Sequence, residues 1–103
     1  MKKIEAVILR EHLEAVRGEL ERHGLLGGGL TLVEVRYSEN NQSLFPMEGR
    51  AFEKSRQRIK LELIVEDAKV ENVVNIILRQ AQPQSQEKGG QIVVLEVNEI
   101  LRI

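Results

Sequence analysis

Cysteine and tryptophan are absent from this chain, and one tyrosine and two phenylalanines make up its aromatic content. Without thiols, disulfides and thiolate metal sites are excluded, and a reducing compartment is the expectation. Neither sign of charge dominates: 15 Lys and Arg stand against 16 Asp and Glu, a net charge of −1. A nucleic-acid partner, which asks for a basic patch or stripe, is therefore not expected. No apolar run approaches the roughly 18 residues of a membrane span. The N-terminal lysines lead into no signal-peptide hydrophobic region, because Glu5 and Arg10 interrupt it. A cytoplasmic protein is the expectation.

What is present fits one globular domain over residues 1–103, with 42% hydrophobic and 30% charged residues. Lys3–Leu9, almost all apolar apart from Glu5, reads as a strand. Leu13, Val16 and Leu20 then recur at helical spacing, with Glu14, Arg17, Glu21 and Arg22 filling the other face. Gly18 inside this helix marks either close packing or a tolerated weakness of about 1 kcal/mol. Gly24 ends the helix and Gly27-Gly28-Gly29 makes a turn. Leu30–Tyr37 is a second strand, with Val33, Val35 and Tyr37 on one face and Glu34 and Arg36 on the other.

Arg58–Val65 alternates Ile59, Leu61, Leu63 and Val65 with Arg58, Lys60 and Glu62, the pattern of a half-buried strand. Asp67 is placed to N-cap a second helix. Val70, Val73, Val74, Ile77 and Ala81 form its buried stripe, and Ile76 and Leu78 broaden it toward a subunit contact. The polar stretch Gln82–Gly90 is a loop, Ile92–Val97 a fourth strand, and Ile100–Ile103 a candidate short terminal one. The order βαββαβ predicts an α+β, ferredoxin-like fold: a four-stranded antiparallel sheet with both helices on one face. A long loop, about residues 38–57, joins the two strands that are central in chain order. Glu34, Arg36, Lys60 and Glu62 are expected on the uncovered face, which favours oligomerisation.

The opening Lys2-Lys3-Ile4-Glu5-Ala6, the strand Lys60-Leu61-Glu62-Leu63, the helix after Asp67 and the ending Leu101-Arg102-Ile103 resemble the P-II nitrogen-regulatory family. The resemblance implies a homotrimer with sheets turned inward, adenine-nucleotide sites in clefts between subunits, and signalling through the long loop. Glu62 and Ile64 match positions whose backbone meets adenine, Arg102 matches a phosphate-contacting arginine, and Gly89 and Gly90 fall in the phosphate-wrapping loop. Arg58 is an added candidate for the anion. This chain departs from the family at Gln91, where the family has lysine, and at Gln84-Ser85-Gln86-Glu87-Lys88, where the family is rich in glycine. Glycine lets backbone approach a phosphate and lysine supplies it a point charge, so triphosphate binding is expected to be weakened. Tyr37 does not fall within the loop, where some members carry a modified tyrosine.

Other features have plainer readings. His12 and His23 lie about three turns apart, roughly 16 Å, and do not share a metal ion within one chain; no metal site is expected. Gly27-Gly28-Gly29 lacks the Gly-Lys-Ser/Thr of a P-loop. The basic group Arg50, Lys54, Arg56, Arg58 and Lys60 reads either as a solvated loop stem or as an anion site built from arginine forks. Leu44, Phe45, Met47 and Phe52 either pack locally or grip a partner. No nucleophile–base or paired-carboxylate arrangement stands out, so no catalysis and no cofactor are expected.

Two functions follow from these readings. One is a trimeric regulator that senses an adenine nucleotide (ATP, ADP or AMP), with or without an anion such as bicarbonate. Its loop controls a transporter or metabolic enzyme, which would recruit it to a membrane transporter in the first case. The other is a ferredoxin-like assembly module that no longer binds nucleotide.

Overall fold

The first strand, β1 (Lys2–Leu9), forms the backbone of the molecule: its alternation sends Ile4, Ala6 and Ile8 into the core, all at most 2% exposed. The computed structural model describes residues 1–36, 57–83 and 90–103. After a 3-10 turn over Arg10–His12 come α1 (Leu13–Arg22) and β2 (Thr31–Val35). Then follow β3 (Arg58–Val65), a second 3-10 turn over Asp67–Lys69, α2 (Val70–Gln80) and β4 (Gln91–Glu96). The sheet order is β2-β3-β1-β4 and every pairing is antiparallel. This is the ferredoxin-like arrangement that the element order predicts, with both helices on one face. The strands joined by the 38–57 segment are adjacent, but β2 is an edge strand and the spatial centre belongs to β3 and β1.

β3 shows why the period-2 reading works. Ile59, Leu61, Leu63 and Val65 are buried against the helices while Arg58, Lys60, Glu62 and Ile64 lie half-buried on the opposite face. The helical layer closes the core with Val16 and Leu20 from α1 and Val73, Ile76 and Ile77 from α2. Ile76 is 2% exposed and Leu78 is 51% exposed. Ile76 is thus a core residue of its own chain rather than part of a subunit contact, because α1 packs on α2 and widens the buried arc.

Three further expectations change. Register places Glu34 opposite Ile59 and Val33 opposite Lys60, so Glu34 lies on the helical side and Val33 and Val35 lie on the open face. Arg36 follows the end of β2. Leu32 and Val33 are both apolar, so alternation separated the faces of this edge strand without saying which turns inward. Asp67 makes no side-chain cap; its carboxylate instead meets the Met1 amino group at 2.9 Å, with that ammonium holding it below the ordinary carboxylate value. Residues 100–103 form no strand: the sheet alignment ends with Val97, whose N–H donates to the Met1 carbonyl at 3.2 Å.

Candidate functional site

The end of α1 builds one wall of a groove at the Val65 end of the sheet. Gly24 takes a left-handed φ of +69°, the Leu25 N–H reaches the Leu20 carbonyl at 2.9 Å, and the Gly24 N–H reaches that of Glu21 at 3.0 Å. These are the paired bonds of a Schellman helix end, and only glycine enters that backbone region cheaply. The chain then turns through Gly27 and Gly28 close against β3. A Cβ on Gly28 would stand 3.3 Å from the Ile64 carbonyl oxygen, so backbone lies on backbone there.

Between this turn, the end of β3 and the C-terminal segment lies a cavity of about 280 Å³. Ile64, Glu66, Lys69, Ile100 and Arg102 line it together with Met1 and the glycines. The arrangement sets Leu25, Ile64 and Ile100 beside the glycine turn, with the cationic Lys69 and Arg102 outnumbering the acidic Glu66 in the lining. Such a slot suits a flat, partly apolar ligand carrying negative charge.

A second cluster sits at the opposite end of β3. Gly90 has φ +128°, and a Cβ there would collide with the Val7 carbonyl. The same position is 3.5 Å from Nη1 of Arg58, which is buried. Gly90 therefore lets β4 enter the sheet hard against β1 and beside the Arg58 guanidinium.

The site residues expected from the sequence are thus brought together in two pairs, Ile64 with Arg102 and Gly90 with Arg58. Six steps of extended strand carry the chain from Arg58 to Ile64, about 20 Å at the usual rise. Glu62 lies between the pairs and lines neither. Its carboxylate is 3.0 Å from Lys60 and 3.2 Å from Lys3 on the open face, and these hydrogen bonds, Lys60's first, hold it below the ordinary carboxylate value. Gly89 and residues 37–56, with Tyr37, Arg50, Lys54, Arg56 and the apolar Leu44, Phe45, Met47 and Phe52, lie outside the described residues.

Sequence reasoning missed Lys69 and the lining role of Gly24, Gly27 and Gly28. The signal for Lys69 was its place in the turn directly after β3, at the same end as Ile64. For the glycines it was a run of residues without Cβ that follows a helix and faces a strand end. His23 lies 3.5 Å from Glu19 on the outer helical surface. Among the described residues no three His, Asp or Glu side chains are placed to hold a metal ion. Nor is any described helix long and apolar enough to cross a membrane.

The family model described as nitrogen regulatory protein P-II matches residues 1–103. The nitrogen regulatory protein P-II of Porphyra purpurea is 32% identical over 115 residues, spanning 100% of this chain and 91% of the relative. That of Pyropia yezoensis is 29% identical over 114 residues, with the same coverage of 100% and 91%. The nitrogen regulatory protein P-II 2 of Methanothermobacter thermautotrophicus is 33% identical over 105 residues, covering 100% of this chain and 89% of the relative. With its whole length matched and its fold in agreement, the chain belongs to the nitrogen regulatory protein P-II family, a family of signal-transducing regulators rather than enzymes.

Proposed function

We propose that this protein is a homotrimeric sensor that binds an adenine nucleotide in clefts between its copies and passes that state to a transporter or metabolic enzyme. The observation that carries this reading is the separation of the two halves of the site. Ile64 and Arg102 stand at one end of the sheet, Gly90 and Arg58 at the other. A nucleotide is too short to bridge them within one chain, so a ligand that meets both meets two copies. One copy supplies the slot beside Ile64 with the Arg102 guanidinium; its neighbour supplies the backbone of Gly90, with Gly89 before it, and Arg58.

Chemistry sets the ligand's character. Gln91, the first residue of β4, brings an uncharged amide to the phosphate side where a lysine would bring charge. Diphosphate and monophosphate therefore bind at least as well as triphosphate, and a small anion such as bicarbonate is a candidate co-ligand for the charged Arg58 side. The 38–57 segment carries the signal outward, through linkage: ligand and partner favour the same state of the protein, so each alters the affinity of the other.

Calorimetry with ATP, ADP and AMP tests the ligand. Arg102→Ala removes a charge-assisted hydrogen bond, about 1.5–3 kcal/mol, which is roughly a ten- to hundredfold loss of affinity. Equal affinity in wild type and variant places the ligand elsewhere. Absence of any nucleotide binding to wild type favours instead a ferredoxin-like assembly module without a nucleotide, a reading to which Gln91 contributes.

A further inference from the structure

The open face of the sheet carries a chain of opposite charges across its two middle strands. Lys3 Nζ is 3.1 Å from Glu5 and 3.2 Å from Glu62, and Lys60 Nζ is 3.0 Å from Glu62. Register sets Glu5 directly opposite Glu62, a like-charge pair that is unfavourable by itself and is relieved by the two lysines. The edge strands bring no charge to this face: β2 contributes Thr31, Val33 and Val35, and β4 contributes Gln91, Val93 and Leu95. Val33, Val93 and Leu95 are 37–41% exposed, so an ionic row lies between two apolar margins. Among the described strand residues Arg58 is the one further charged group on this face, and it lies at the end beside Gly90.

We propose that the row Glu5–Lys3–Glu62–Lys60 is the element by which copies of this chain select one another. The inference rests on the trimeric assembly proposed above. Two lysines and two glutamates sum to zero, whereas a nucleic acid or an acidic membrane surface asks for one sign. A row of alternating sign instead matches another copy of itself, each lysine finding a glutamate across the contact. An ammonium carries three donors and a carboxylate about four acceptor sites, so the contacts made among the described residues leave capacity for a neighbour. Matched charges between copies give selectivity more than raw affinity, because a wrong sign brought into a half-buried row is strongly repelled.

The test exchanges all four signs at once: Lys3→Glu, Glu5→Lys, Lys60→Glu and Glu62→Lys together. This keeps every pair within the chain. Wild type and the exchanged protein, incubated together and read by native mass spectrometry, should each form trimers of one kind. Trimers mixed in the random proportions overturn the inference while leaving the assembly intact. Should the fourfold variant not fold, Lys60→Glu alone serves: it should be excluded from wild-type trimers, and random incorporation overturns the proposal. Wild type at the mass of a single chain overturns the assembly itself and the inference with it.

Discussion

Gly18 and Gly90 place opposite demands on their backbones. Gly18 is exposed in the middle of α1, and a Cβ there would meet nothing within 4 Å. Of the two meanings open in the sequence, it is the tolerated weakness. Gly18→Ala should stabilise the fold by about 0.4–1 kcal/mol by restricting the unfolded chain, and thermal denaturation should report a higher midpoint. Gly90→Ala should do the reverse: backbone strain alone costs about 1–3 kcal/mol, and the collision with Val7 adds to it. A Gly90→Ala protein as stable as wild type would mean that β4 enters the sheet elsewhere. Glu62 adds a pH dependence. Lys60 and Lys3 hold its carboxyl below the ordinary value of 4.5, so its stabilisation is fully present above that pH and is lost as pH falls through the depressed value. Glu62→Gln should lower the melting temperature at neutral pH, and the gap to wild type should close as pH falls through the depressed value, below which both side chains are uncharged. A gap that persists in acid would show that packing, not charge, makes the difference. At this scale the sequence offered Ile64, Arg102, Gly90 and Arg58 as candidate ligand-binding residues by type and position. It did not show that they form two separate pairs, because their separation is a property of strand direction rather than of spacing.

The elements were more legible than the residues between them. β3 is a clean case: the alternation of Ile59, Leu61, Leu63 and Val65 with Arg58, Lys60 and Glu62 yielded its bounds and its buried face. Leu61, fully buried at its centre, is the natural probe. Leu61→Ala should cost about 2–5 kcal/mol through lost burial and the cavity left behind, a large share of the roughly 5–15 kcal/mol that holds a domain folded; denaturant titration should show it as an earlier midpoint. β2 was harder. An edge strand bearing Leu32 and Val33 side by side has apolar groups on both faces, and only pairing with β3 decides that Leu32 joins Leu61 on the helical side. α2 was legible as a helix, but its buried arc was set by α1, and no local pattern announces a helix–helix contact. The Asp67 turn failed as a cap for the same reason: its partner, the Met1 amino group, is distant in sequence.

At the scale of the whole molecule, the separation of the two proposed half-sites by about 20 Å of strand supports the proposed assembly more strongly than any apolar patch does. Light scattering on a sizing column should therefore return about three times the chain mass of 11.7 kDa; a stable monomer would leave the two half-sites unable to meet. The decisive measurement mixes two variants, Arg102→Ala and Arg58→Ala, each weakened in nucleotide binding when assembled alone. In a head-to-tail ring, every mixed trimer contains one cleft whose Arg102 comes from one variant and whose Arg58 comes from the other. After dissociation and reassembly together, calorimetry with ADP should recover a class of sites with wild-type affinity that neither parent has. A mixture that binds as weakly as its parents would mean that both arginines serve a site within one chain, or none, and the shared cleft would be ruled out.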